Sequence, residues 1–360
     1  MNGTVYERSW TFETVCHLIM WQAVERKRLS RYIDLTARLM RIVITGGAGF
    51  LGSRLARALL ARGSLTDARG EARDLRELVL VDVVRATVAD PRVTVVTGDL
   101  ADPTLIERVV TPGTDSVFHL AAVVSGQAEA EFDVGMRVNL DATRALLERC
   151  RRLAKPPKFV FASSLAVFGG PLPDPVPDDA PVTPQTSYGA QKAIGEFLVY
   201  DMTRKGYLDG RSLRLPTITV RPGKPNKAAS SFASGIIREP LSGVDVICPV
   251  APSTQVWVSS PRTVIANLIV GHEAPAARFA HTRSINVPGL HVGVGEMVAA
   301  LRRIAGDAVA DRVKWQLDPA IDRIVSTWPA RFAPVLGPAL GMQADPDFDS
   351  IVRAYIADEK

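Results

Sequence analysis

From residue 40 onward, short apolar runs rich in β-branched residues alternate with longer segments whose apolar positions recur at helical spacing. Runs of the first kind read as buried parallel strands and segments of the second as amphipathic helices. Strands are predicted at 42–45, 78–82, 93–97, 117–122 and 159–162, with a sixth just before Pro216. Helices are predicted at 51–60, 140–153, 264–272 and 295–304, and one more is expected to be capped by Ser187. Alternation of this kind implies an α/β protein built on a parallel sheet. Between these elements, 64–76 is polar and charged and reads as an inserted solvated loop. The proline-rich 171–184, with Asp174, Asp178 and Asp179, reads the same way.

The first strand breaks at Gly46-Gly47, and Gly46, Gly49 and Gly52 lead into the first helix. A glycine-rich turn between a strand and a helix suits a dinucleotide pyrophosphate. The turn lets the backbone approach closely, and the helix N-terminus offers free N–H groups and the positive end of its dipole. Asp82 closes the second long strand, where a carboxylate can accept both ribose hydroxyls of NAD and would repel the 2′-phosphate of NADP. Arg85 nearby keeps NADP in play. Asp99, after the third strand, is either a plain turn residue or a contact to the adenine edge. Asp102 before Pro103 reads as a helix N-cap. His119 lies within an apolar strand and reads as a hydrogen-bonded core residue.

Composition narrows the field. At 360 residues and 47% hydrophobic, the chain can bury a large core. It has no uninterrupted apolar run long enough to span a bilayer. Its net charge of +5 comes without long Lys/Arg blocks or aromatic-basic interleaving, so no membrane and no nucleic-acid partner is expected. Cys16, Cys150 and Cys248 are too scattered for a disulfide framework or a metal site, so no metal is expected and a reducing cytoplasm is. Residues 1–39 carry Trp10, Phe12, Ile19, Trp21 and a basic cluster at 26–28, without the turn signals found later. They read as an extension preceding the fold, with Met40 as the natural start.

Tyr188 and Lys192 are four residues apart on a predicted helix, so they share a face. A phenol is a weak base near neutral pH, and a nearby ammonium lowers its pKa. A hydroxyl from Ser163 or Ser164, at the end of the fifth strand, completes a proton-transfer site.

With these pieces in place, the chain resembles the extended short-chain dehydrogenase/reductase family, in its epimerase-like branch. The resemblance rests on Thr45-Gly-Gly-Ala-Gly-Phe-Leu-Gly52, Gly98-Asp-Leu100, His119-Leu-Ala-Ala122, Ser163-Ser-Leu-Ala-Val-Phe-Gly169 and Tyr188-Gly-Ala-Gln-Lys192. It implies a Rossmann-type doubly wound parallel sheet with a smaller C-terminal substrate lobe, divided as 40–220 and 221–360. It also implies a homodimer through 140–153 and 187–204. Ser164 becomes the catalytic serine beside Tyr188 and Lys192. The cofactor, NAD, is expected on Gly46, Gly49, Phe50, Leu51, Gly52, Asp82, Asp99, Leu100, Leu120, Ala121, Ala122, Asn139, Tyr188, Lys192, Pro216 and Ile218.

The second half, from Leu213 through Phe232 and again at Arg238-Glu-Pro-Leu241, Ser260-Pro-Arg262 and Asn286-Val-Pro-Gly-Leu290, resembles family members that oxidise short sugar acids. That implies oxidation of the C2 hydroxyl of a small-molecule sugar acid of about four carbons. Ser164, Thr217, Asn226, Ser231 and Arg283 are the expected substrate contacts, with Ser230 and Lys224 behind them. Two rivals remain open, a nucleotide-sugar epimerase or dehydratase and a non-catalytic NAD sensor. Trp315 and Trp328 read as lobe-packing residues.

Overall fold

The computed structural model describes residues 39–223 and 229–359. The readings made for 1–38, and those for Lys224 and Asn226, fall outside the described residues.

Eight strands form the main sheet: β1 (Leu39–Thr45), β2 (Ser64–Thr66), β3 (Ala72–Asp82), β4 (Val93–Thr97), β5 (Ser116–His119), β6 (Lys158–Ser164), β7 (Asp209–Leu215) and β8 (Ser284–Asn286). Their order is β8-β7-β6-β5-β1-β3-β2, with β4 also paired to β3. The pairs β1–β5, β5–β6, β6–β7, β7–β8 and β3–β4 are parallel, and β2–β3 is antiparallel. The order runs outward in both directions from β1, which places the topological switch beside the glycine turn, where such folds bind ligands. Ile42, Val43 and Ile44 of β1 are fully buried because helices cover both faces of the sheet. One face packs the Phe50–Arg62 and Pro261–Glu273 helices through Leu55, Leu59, Val264 and Leu268. The other packs the Pro103–Val109, Ala142–Arg151 and Ser187–Arg204 helices through Ile106, Leu146 and Val199.

A second core, with Ile236, Val258, Met297, Leu301 and Val352, holds the C-terminal lobe together. Its helices are Phe232–Leu241, Val294–Ala305 and Phe348–Glu359. Division at residue 220 is too simple, because β8 and the Pro261–Glu273 helix return to the main sheet from beyond it. Among the described residues, no helix is long and apolar enough to cross a membrane.

Several local expectations are corrected. The segment 64–76 is not a loop: β2 and the first half of β3 form a hairpin, with Leu65 and Leu75 buried beneath a charged outer face. The predicted strand at 117–122 stops at His119. The helical run predicted from Asn139 starts earlier, at Phe132–Gly135, and passes through a π-helical turn at Met136–Asp141. Thr186, not Ser187, caps the tyrosine helix, its hydroxyl accepting the Gly189 N–H at 3.1 Å. The acids of 171–184 are not merely solvated. Asp178 Oδ2 accepts the N–H groups of Val335 and Leu336, both at 2.8 Å, and Asp174 pairs with Arg331. Trp328 does pack against the lobe core, but Trp315 is 42% exposed. Asp102 caps its helix as expected, accepting the Thr104 N–H at 2.9 Å. His119 is a core histidine, 2.6 Å from the Thr45 hydroxyl and 2.8 Å from that of Thr143, and burial pushes its pKa down to about 3.

Candidate active site

A cleft of about 1640 Å³ opens along the carboxyl ends of β1, β3, β5 and β6. Its floor begins at the glycine turn. Gly46 sits at φ +71°, and a Cβ there would lie 2.8 Å from the Ala121 nitrogen. A Cβ on Gly52 would lie 2.1 Å from the Gly46 oxygen. Glycine at these two positions is what lets strand, turn and helix close on one another. The Phe50–Arg62 helix has no side-chain cap and no acid in its first turn. Its leading N–H groups therefore face the cleft as an anion cradle.

Asp82 lines the cleft from the end of β3. Its Oδ2 accepts the Ala48 N–H at 3.0 Å, so it also braces the glycine turn. Phe50, Leu51, Asp99, Leu100, Leu120, Ala121, Ala122, Pro216, Thr217 and Ile218 line the same cleft. Asp99 accepts the Ala101 N–H and pairs with Arg137, which satisfies the turn reading while leaving it on the cleft wall. These features fit NAD: a cradle that a Cβ would fill, an uncapped helix start and a carboxylate at the ribose position.

Asn139 does not line the cleft. It is buried, accepts the Val123 N–H at 2.8 Å and donates to Gln191 Oε1 at 2.8 Å. It therefore shapes the wall after β5 from behind. Arg283 is also misplaced as a substrate contact. It pairs with Asp209 at 3.1 Å and stacks on Phe279, away from the cleft lining. Both errors have one cause: a polar side chain's direction depends on neighbours distant in sequence. Ser230 and Ser231 do line the cleft.

The three catalytic candidates come together. Ser164 ends β6, and its hydroxyl is hydrogen-bonded to Tyr188. Ser163 is committed elsewhere, donating to the buried Glu196 at 2.5 Å. Glu196 also takes the Arg214 guanidinium at 2.8 Å. Lys192 Nζ donates to the Ala162 carbonyl at 2.8 Å and lies 5.6 Å from the centre of the Tyr188 ring.

The electrostatics depart from the simple expectation. Burial pushes the Tyr188 phenol up to about 12, while the Ser164 hydrogen bond and the Arg221 charge pull against it. Burial pushes Lys192 down to about 7, with Glu196 opposing. Lys192 is thus neutral in the range where so raised a phenol titrates, and the cation that draws Tyr188 down is Arg221. Sequence reasoning did not single out Arg221. The available signal was a charged residue in a cleft-facing stretch, directly after the buried Thr219 and Val220.

A family model described as the NAD dependent epimerase/dehydratase family matches residues 42–254. A D-erythronate dehydrogenase of Cupriavidus necator is 57% identical over 320 residues, covering 89% of this chain and 98% of that protein. A second D-erythronate dehydrogenase, from Haemophilus influenzae, is 44% identical and covers 88% of this chain and 99% of its own length. The solved structure of a nucleoside-diphosphate-sugar epimerase from Agrobacterium tumefaciens superposes with a TM-score of 0.84 at 40% identity, covering 89% of this chain and 94% of that one. With its glycine cradle, Asp82 and the clustered Ser164, Tyr188 and Lys192, the chain belongs to the NAD dependent epimerase/dehydratase family.

Proposed function

We propose that the protein oxidises the C2 hydroxyl of a short sugar acid, D-erythronate foremost, to the 2-keto acid. The observation that carries this reading is the meeting of Ser164 and Tyr188 on one cleft wall, with Lys192 one turn along the helix, in a cleft that Pro216, Thr217 and Ile218 also line. The two D-erythronate dehydrogenases matched along nearly their full length support the choice of substrate.

Bound NAD supplies the hydride acceptor. Gly46, Gly49 and Gly52 would hold its pyrophosphate, Asp82 would accept its adenosine ribose, and Pro216 and Ile218 would line the nicotinamide end of the cleft. Tyr188 takes the proton from the C2 hydroxyl after losing its own phenol proton, a loss that Ser164 and the Arg221 charge favour against burial, while the C2–H hydrogen would leave with its electron pair to the cofactor, leaving a carbonyl at C2. Ser164 donates a hydrogen bond to the reacting oxygen. Lys192, held by Ala162, orients the phenol and the nicotinamide ribose. General-base help of this kind is worth ~10² to 10⁴ in rate.

A homodimer fits the same reading. Ile194, Phe197 and Tyr200 are exposed along the Ser187–Arg204 helix at i, i+3 and i+6, an apolar stripe suited to a second copy. The enzyme is assigned to the cytoplasm, in keeping with its buried, reduced Cys150 and Cys248.

The experiment follows NADH absorbance with NAD and a panel of four- and five-carbon sugar acids. D-erythronate is expected to turn over, and Tyr188→Phe to lower kcat by at least ~10²-fold with NAD binding kept. The competing reading is a nucleotide-sugar epimerase, favoured by the Agrobacterium relative. No net NADH from any acid, with interconversion of a UDP-sugar, would replace the dehydrogenase reading.

A further inference from the structure

We infer that Arg221 is the residue that binds the substrate's carboxylate, and that it directs oxidation to the carbon next to that group. The inference rests on the sugar-acid reading above and deepens it.

Arg221 lines the cleft together with Ser164, Tyr188, Thr217 and Ser230. Its backbone is fixed at both ends. The N–H donates to Ser234 Oγ at 3.0 Å, and the carbonyl accepts Arg238 Nη1 at 2.7 Å. The guanidinium is treated differently. Among the described residues its one hydrogen bond is a long 3.4 Å contact to Ser230 Oγ, and no acid pairs with it.

The four buried arginines among the described residues each have a carboxylate. Arg41 has Glu77, Arg211 has Asp209, Arg214 has Glu196 and Arg238 has Glu239. A guanidinium withdrawn from water needs an anionic partner, and its planar fork matches a carboxylate two bonds at a time. Arg238, beside it, is already engaged and adds positive potential rather than a second clamp. Burial and Arg238 together hold Arg221 below the usual arginine pKa. Both costs are relieved when an anion arrives.

Position selects the anion. Arg221 shares the cleft wall with Ser164, Tyr188 and Thr217, so an anion on Arg221 lies in the same cleft as the Ser164 and Tyr188 hydroxyls. In a 2-hydroxy acid, the carboxylate carbon is bonded to the carbon being oxidised. In a nucleotide sugar the diphosphate lies across the ring from a reacting C4 hydroxyl, too far to share both groups. The pinned backbone and the fork would therefore fix C1 and leave C2 as the only hydroxyl-bearing carbon within reach of Tyr188.

The test compares wild type, Arg221→Gln and Arg221→Lys on D-erythronate and on erythritol, its neutral counterpart. NAD affinity is read by fluorescence and folding by melting temperature. Expected for Arg221→Gln is a rise in KM for the acid of ~100-fold or more with unchanged NAD affinity, while kcat falls alike on acid and polyol as Tyr188 loses its cation, so that the preference for acid in kcat/KM collapses. Arg221→Lys keeps the charge without the fork and should fall between the two. Should the glutamine variant fail to fold, the lysine variant decides by the same ratio. If wild type oxidises the acid and the folded variants keep its KM, the assignment of Arg221 is overturned while the sugar-acid reading stands. If wild type oxidises no acid, both fall together.

Discussion

Asp82 offers one carboxylate oxygen to the Ala48 N–H and leaves the carboxylate on the cleft wall. On the proposed reading, replacing it with alanine would remove both an acceptor for the ribose hydroxyls and the repulsion that would reject a 2′-phosphate. The expected outcome for Asp82→Ala is a fall of ~10- to 100-fold in kcat/KM for NAD, with NADP losing less or gaining, read as the ratio of the two. This residue was legible because the chemistry is local: a carboxylate closing a strand beside a glycine turn has few other tasks. Tyr188 and Lys192 were legible for the same reason, since helical spacing alone puts them on one face. Asn139, Arg283 and Arg221 were not. Asn139 turns inward because Val123 and Gln191 offer it partners, and Arg283 turns away because Asp209 and Phe279 do. Arg221 is marked out, among the described residues, by the lack of an acid beside it, and such a lack leaves no trace in sequence.

At the scale of elements, the Pro261–Glu273 helix ends in a buried polar knot at the far side of the sheet from the cleft. His272 Nε2 lies 2.8 Å from Ser116 Oγ, and Glu273 takes the Thr66 N–H at 3.0 Å and His272 Nδ1 at 2.9 Å. Burial pushes His272 down to about 4. Burial also pushes Glu273 up, but the hydrogen bonds from His272 and Thr66 outweigh it and hold the acid at about 2. Both groups bind protons more readily when unfolded, so both make stability fall with falling pH. The histidine contribution is complete above about 6.5 and is lost down through about 4, and the glutamate contribution follows from about 4.5 through about 2. Melting temperature should therefore begin to decline below about pH 6.5. In His272→Asn the decline between 6.5 and 4 should flatten, which differential scanning across pH would read directly.

The knot reaches β2 through Thr66, and β2 was read from the sequence as part of a solvated loop. Its outer face is charged, and its two core contacts, Leu65 and Leu75, belong to different strands of the hairpin. No short window shows the alternation. Of the parallel strands, β1, the second half of β3, β5 and β6 appear as plain apolar runs and were found within a few residues of their carboxyl ends, whereas β8 was not found.

For the whole molecule, the surface that matters most is the helix that carries the proposed catalytic pair, Tyr188 and Lys192. Phe197, 64% exposed, is the centre of its apolar stripe. Phe197→Glu places a charge there and should turn the proposed dimer into a monomer in light scattering, while the melting temperature of the monomer stays near that of wild type. A mass that already corresponds to one chain in the wild type would remove the dimer. The overall architecture was foreseeable from the alternation of strand and helix, but the partition at residue 220 was not, because β8 gives no signal of its own: it is three residues long.

That short strand has a consequence for how the protein is made. When a ribosome has finished residue 220, seven strands of the main sheet exist and β7 still shows a bare edge, its outer N–H and C=O groups without partners. Much of the C-terminal lobe must emerge before Ser284–Asn286 arrives to cover that edge. The main sheet therefore closes only after residue 286 has emerged, and a chain cut at 220 would keep β7 bare. Whatever substrate preference the lobe acquires is inherited together with the sheet it completes.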